Sequence, residues 1–176
     1  MKLLDRLFRP APDDQAEARP LWLGIIAEAR SSRWYAELGV ADSVEGRFDM
    51  VTLILALVLL RLEREPGCET VAVRLTELFV DDMDAQLRQS GVGDLMVGKH
   101  MGKLMAVLGG RIGALREALG QSDKGGDDAV LGEVIARNAR LLEGAGPEGL
   151  AAALRALDAQ IAANKLERLL AGDLTP

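Results

Sequence analysis

Apolar residues recur along this chain at spacings of three and four. Leu21, Ile25 and Ala29 stand four apart, with Trp22 and Ile26 beside them, as on one face of a helix. Gly39 is a stop signal. Asp42, with Glu45 three residues on, predicts the cap of a second helix. Phe48, Val51, Leu55, Leu59 and Leu62 carry it to about Arg64, and Pro66-Gly67 breaks it. Leu75, Phe79, Met83 and Leu87 form the next row, widened by Leu78, and Ser90-Gly91 ends it. A further helix is expected from Asp94 to Leu119, then a polar loop from Gly120 to Gly126. Asp127 or Asp128 opens a helix with Leu131, Val134, Ile135, Leu141 and Leu142 on one face. Pro147 opens the last, with Leu150, Leu154, Leu157 and Ile161. No stretch alternates apolar and polar like a half-buried strand. The pattern predicts an all-α fold, a single-domain bundle of six to seven helices over residues 20–176, behind a tail and linker over 1–19.

The most apolar run, Met50 to Leu60, is closed by Asp49 and Arg61. As a helix it is about 16 Å long, against about 30 Å for a bilayer core. It reads as a buried central helix, not a membrane span. At the N-terminus, Asp5 and Arg6 interrupt the apolar residues and no small-residue cleavage site follows, so a signal peptide is not expected. Leu3, Leu4, Leu7 and Phe8 read as a frayed end or as a weak membrane-surface foot.

Composition narrows the chemistry. The formal charge of −6 argues against general nucleic-acid binding. Cys68 is the only cysteine and His100 the only histidine. That excludes an intrachain disulfide and zinc sites built on several His or Cys ligands. Gly93, Gly98 and Lys99 match G-x-x-x-x-G-K, but a helical pattern precedes them, His100 replaces the magnesium-binding hydroxyl, and Asp94 puts a carboxylate in the loop. Nucleotide binding is not expected. Asp81, Asp82 and Asp84 lack the glycine of a calcium loop, since Leu87 stands at its sixth position.

On a helical wheel, residues 94–119 show three arcs. Met101, Leu104, Met105, Leu108, Ile112, Leu115 and Leu119 make an oily one; Gly98, Gly102, Ala106, Gly109 and Gly113 a small-residue ridge; Lys99, His100, Lys103 and Arg111 a basic one. The glycines weaken the helix, so the ridge suggests close approach by another helix, from this domain or another polypeptide. Asn138 falls within an apolar stripe and reads as a satisfied buried amide.

Three stretches then coincide with a known family. WYAELGVADSVEGRFDMVTL, LFVDDMDAQLRQSGVGDLMVGKHMGKLM, and the GGR and Arg137-Asn138 pieces resemble the ubiquinol–cytochrome c chaperones over about Leu21 to Leu142. The marks are Gly46, Arg47, Phe48 and Asp49 of GRFDM; Asp82 and Asp84; and Gly91, Gly93 and Asp94 leading to Lys99. Leu53 and Ile54 stand where many relatives carry a His, and Gly109 where an aromatic often precedes GR. The resemblance implies a non-enzymatic assembly factor without a cofactor. Its client would be cytochrome b or another complex III subunit, with a companion chaperone and the ribosome as further contacts. The lack of a mitochondrial presequence suits a bacterial member, cytoplasmic and visiting the inner membrane. Lys99, His100, Lys103 and Arg111, with Gly98, Gly102, Trp34 and Tyr35, are the expected partner-binding residues. Two other classes fit the residues: a small hydrolase or metal enzyme, if Asp81, Asp82, Asp84 and His100 converge, and a purely structural helical interaction protein.

Overall fold

The computed structural model describes residues 15–89, 94–120 and 128–175, and within the helix of residues 94–120 the side chains from residue 98 onward. Among them lie six helices of eleven residues or more: α1 (Arg19–Ala29), α3 (Val44–Leu62), α4 (Glu69–Gln89), α5 (Asp94–Gly120), α6 (Asp128–Asn138) and α7 (Pro147–Ala163). Two five-residue helices, α2 (Ser32–Ala36) and α8 (Leu166–Leu170), complete the set. The described residues contain no strand, only an isolated antiparallel bridge between Val40 and Leu141.

The Met50–Leu60 run forms the hub. Every residue of α3 from Thr52 to Leu60 is buried, and α1, α4, α5 and α7 all pack on it. An apolar surface all round leaves such a helix stable only when surrounded. No helix among the described residues is long and apolar enough to cross a membrane. Trp22 meets Phe79 edge-on with centroids 6.2 Å apart, and Phe48 lies 6.4 Å from the same ring, joining α1, α3 and α4. The row on α7 (Leu150, Leu154, Leu157, Ile161) is buried as its spacing predicts.

Three local expectations are corrected. The cap of α3 is Ser43, whose Oγ accepts from Gly46 N at 3.1 Å. Asp42 instead accepts from Arg47 Nε at 2.6 Å, which holds its carboxyl below the usual range. The face starting at Leu131 does not continue: α6 ends at Asn138, Leu141 enters the bridge, and Leu142 is exposed. The α8 turn had no counterpart in the periodicity; its Leu169 is buried.

The bridge places two separate turns side by side. Ala41 N donates to Arg140 O at 2.8 Å, and Leu142 N to Gly39 O at 2.8 Å. Gly39 has φ +73°, the left-handed geometry that lets the chain turn here. Gly46 is needed for space, because a Cβ there would strike the carbonyl oxygen of Ala41.

Candidate functional site

Three of the motif stretches, GRFDM, GGR and Arg137-Asn138, meet at one buried junction. Asp49, on the second turn of α3, is 1% exposed, and Arg111, midway along α5, is 5% exposed. Arg111 Nη2 donates to Asp49 Oδ1 at 2.5 Å and to Asn138 O, at the end of α6, at 2.6 Å. Its Nη1 donates to Asp49 O at 3.2 Å and to the Thr52 hydroxyl. The other carboxylate oxygen of Asp49 accepts from Arg140 N at 3.1 Å and Arg140 Nη1 at 2.9 Å. The Arg111 guanidinium also sits 5.7 Å from the Phe48 ring centroid. Two charges this deep are tolerable only when paired and hydrogen-bonded on most sides. One carboxylate and one guanidinium therefore fasten α3, α5, the end of α6 and the Arg140 turn together.

Asn138 Nδ2 donates to Val134 O at 2.8 Å, so the amide is satisfied, in a half-buried setting. Its carbonyl is what Arg111 reads.

This geometry corrects the basic arc. Arg111 is not on a solvent-facing arc with Lys99 and Lys103. It lies three residues after Leu108 and four before Leu115, both buried, so it belongs to the inward row. Lys99 and Lys103 are exposed and His100 is half-buried. Trp34 is corrected too: it is fully buried, its indole donates to Glu28 O at 2.8 Å, and Arg33 covers its ring at 4.2 Å. It is a core residue and offers no surface to a partner. Tyr35 is half-buried and donates its hydroxyl to Ala29 O at 2.6 Å; burial pushes its phenol up from the ordinary value.

The glycine ridge is corrected in part. A Cβ at Gly98, Gly102, Gly109 or Gly113 would meet nothing within 4 Å, so no helix among the described residues approaches there. The acidic trio does not converge with His100 on a metal. Asp81 accepts from Gln15 Nε2 at 2.8 Å and Asp84 from Arg88 Nε at 2.8 Å, while Asp82 is half-buried on the same helix. Among the described residues no group of three or more His, Cys, Asp or Glu could hold a metal ion. Asp94 begins α5, directly after a stretch that follows helix α4, not a strand. Gly91 and Gly93 lie outside the described residues.

Two concavities stand out among the described residues. A cleft of about 370 Å³ runs between α3, α4 and α5, lined by Leu59, Ala72, Val73, Thr76 and Ile112 with Glu63 and Glu77 at its rim. The second lies near Tyr35 and Arg47 and has a larger polar share in its lining than the first.

Residues 36–175 match the family described as Ubiquinol-cytochrome C chaperone. The chain belongs to the ubiquinol–cytochrome c chaperone family. The match runs well past Leu142, so α7 and α8 are part of the family domain although their sequence carries little motif. A crystal structure of the Cbp3 homolog from Brucella abortus is similar over 98% of this chain and 96% of that one, with 32% identity and a TM-score of 0.78. No curated protein matches the chain. Family membership makes sense of the junction: Asp49, Arg111 and Asn138 come from three separate motif stretches and meet at one point.

Proposed function

We propose that this chain is an assembly chaperone for respiratory complex III that holds cytochrome b, or another subunit of that complex, without performing a chemical step. The observation that carries this reading is where the signature residues go. Asp49, Arg111 and Asn138 are all engaged in joining helices, so what the motifs encode is a shape. A shared shape is what a binding protein needs.

The client surface we infer is the outer face of α5 before Leu108. There Met105 is exposed, Met101 and Leu104 are partly buried, and Gly98 and Gly102 leave the backbone open to close approach. Exposed apolar surface suits an oily client, and Lys99 and Lys103 suit its acidic side chains or an anionic membrane surface. Work at the cytoplasmic side of the inner membrane, with a companion chaperone or the ribosome nearby, follows from the same reading. A photo-crosslinking residue placed at Met105 in cells should capture cytochrome b, while one at Leu23, on α1, should not. Capture at both positions or at neither, with complex III levels unchanged when the gene is removed, would reject the proposal.

A further inference from the structure

In the stretch Gly46 to Met50, four residues have internal tasks. Gly46 avoids the Ala41 carbonyl, Phe48 packs on Phe79, Asp49 holds Arg111, and Met50 is fully buried. Arg47 is the exception, with its side chain 62% exposed. It lines a notch of about 530 Å³ together with Arg30, Ser32, Tyr35, Ala36 and Asp42. Asp42 engages Arg47 through Nε, and neither the terminal nitrogens of Arg47 nor the Arg30 guanidinium has a protein partner among the described residues. Both arginines act on the Tyr35 phenol, opposing the upward push of burial. The Tyr35 hydroxyl proton is already committed to Ala29, which leaves the ring as a wall.

We propose that this notch receives one carboxylate carried by a polypeptide partner, an Asp or Glu side chain or a chain terminus. Two guanidiniums facing one carboxylate leave a single net positive charge, which matches a singly charged oxyanion. A doubly charged phosphate would meet the Asp42 carboxylate with more repulsion. Arginine presents paired donors in a planar fork that fits a carboxylate, and such charge-assisted bonds are stronger than neutral ones. In a protein of net charge −6, the attraction is local and acts within a screening length of about 8–10 Å. The site is independent of whether cytochrome b is the client.

The test uses the whole purified protein and the blocked amino acid N-acetyl-glutamyl methylamide. Its glutamine counterpart and inorganic phosphate serve as comparisons. Nitrogen–proton NMR follows the arginine Nε–H signals and the amides of Tyr35 and Ala36. The glutamyl probe should produce saturable shifts at these positions in the millimolar range, and the glutamine probe none. Arg30→Gln, at an exposed position, should keep the rest of the spectrum and weaken the glutamyl probe at least about tenfold. Shifts that never saturate, or that survive Arg30→Gln undiminished, would overturn the proposal. Tighter binding of phosphate than of the glutamyl probe would also overturn it, and would mark a general anion or lipid-headgroup site instead.

Discussion

From Leu108 onward, α5 sends Leu108, Arg111, Leu115, Ala118 and Leu119 into the core. From Gly98 to Val107 the same helix has no fully buried side chain. Both halves contain Leu, Met or Ile at helical spacing, and both contain glycines and cations. Residue type alone does not separate them. What marks the second half is the ion pair, by which Arg111 ties it to Asp49. The second half is structural. The first is the client face proposed above, and experiments can test that division directly.

The largest effect is expected at the tie itself. Arg111→Ala should cost about 3–5 kcal/mol in urea unfolding, because the buried Asp49 carboxylate loses its buried partner and keeps only the exposed Arg140. Asp49→Asn combined with Arg111→Met should cost clearly less than the two single losses added, which a double-mutant cycle would show as coupling. Strict additivity would break the comparison at its root.

Next come apolar truncations in the two halves. Leu115→Ala should lose about 2–5 kcal/mol by opening a cavity, whereas Met105→Ala should stay within about 0.5 kcal/mol. Equal losses would show that the first half is as structural as the second.

Glycine substitution should go the other way. Gly102→Ala fills open space on a helix and should raise stability by up to about 1 kcal/mol. Gly102→Leu should leave the melting temperature at or above that of the parent and lower complex III assembly in cells. Normal assembly with Gly102→Leu would remove the ridge from the client surface.

The smallest effect on stability is expected from Lys99→Gln with Lys103→Gln, since exposed charges contribute little. Circular dichroism should be unchanged. Association with the partner or membrane should fall, and in the parent protein it should already decline with added salt. An association indifferent to both the substitutions and salt would reduce these lysines to a solvated face.

The helical plan was legible because it rests on repetition. The α3 run is apolar on every side, and the α7 row keeps a four-residue beat, so each announces its burial. Positions decided by a single contact were not legible. Asp42 and Ser43 are adjacent and both can cap a helix; Ser43 takes the role because Arg47, five residues after Asp42, draws that carboxylate away. Arg111 looked like a surface charge because the partner that makes its burial affordable is 62 residues away. Its place between Leu108 and Leu115 was the available signal, since a cation in step with two core leucines needs an acid opposite. Trp34, expected with Tyr35 to bind a partner, is turned inward, its indole bonded to the chain's own Glu28 carbonyl. The open face of the glycine ridge is a property of the assembled bundle, and no helical wheel contains it.

The reach of Asp49 along the chain has a consequence for how the protein is made. Its partners lie 62 and 91 residues downstream, in Arg111 and Arg140. During synthesis the carboxylate emerges first and stays in water until α5 has left the ribosome. The second set of bonds waits for the Arg140 turn, so the junction closes only after that turn has emerged. Long-range closure of this kind is slow compared with the formation of single helices. The interval sets an order of events: the oily hub helix exists before its fastening does.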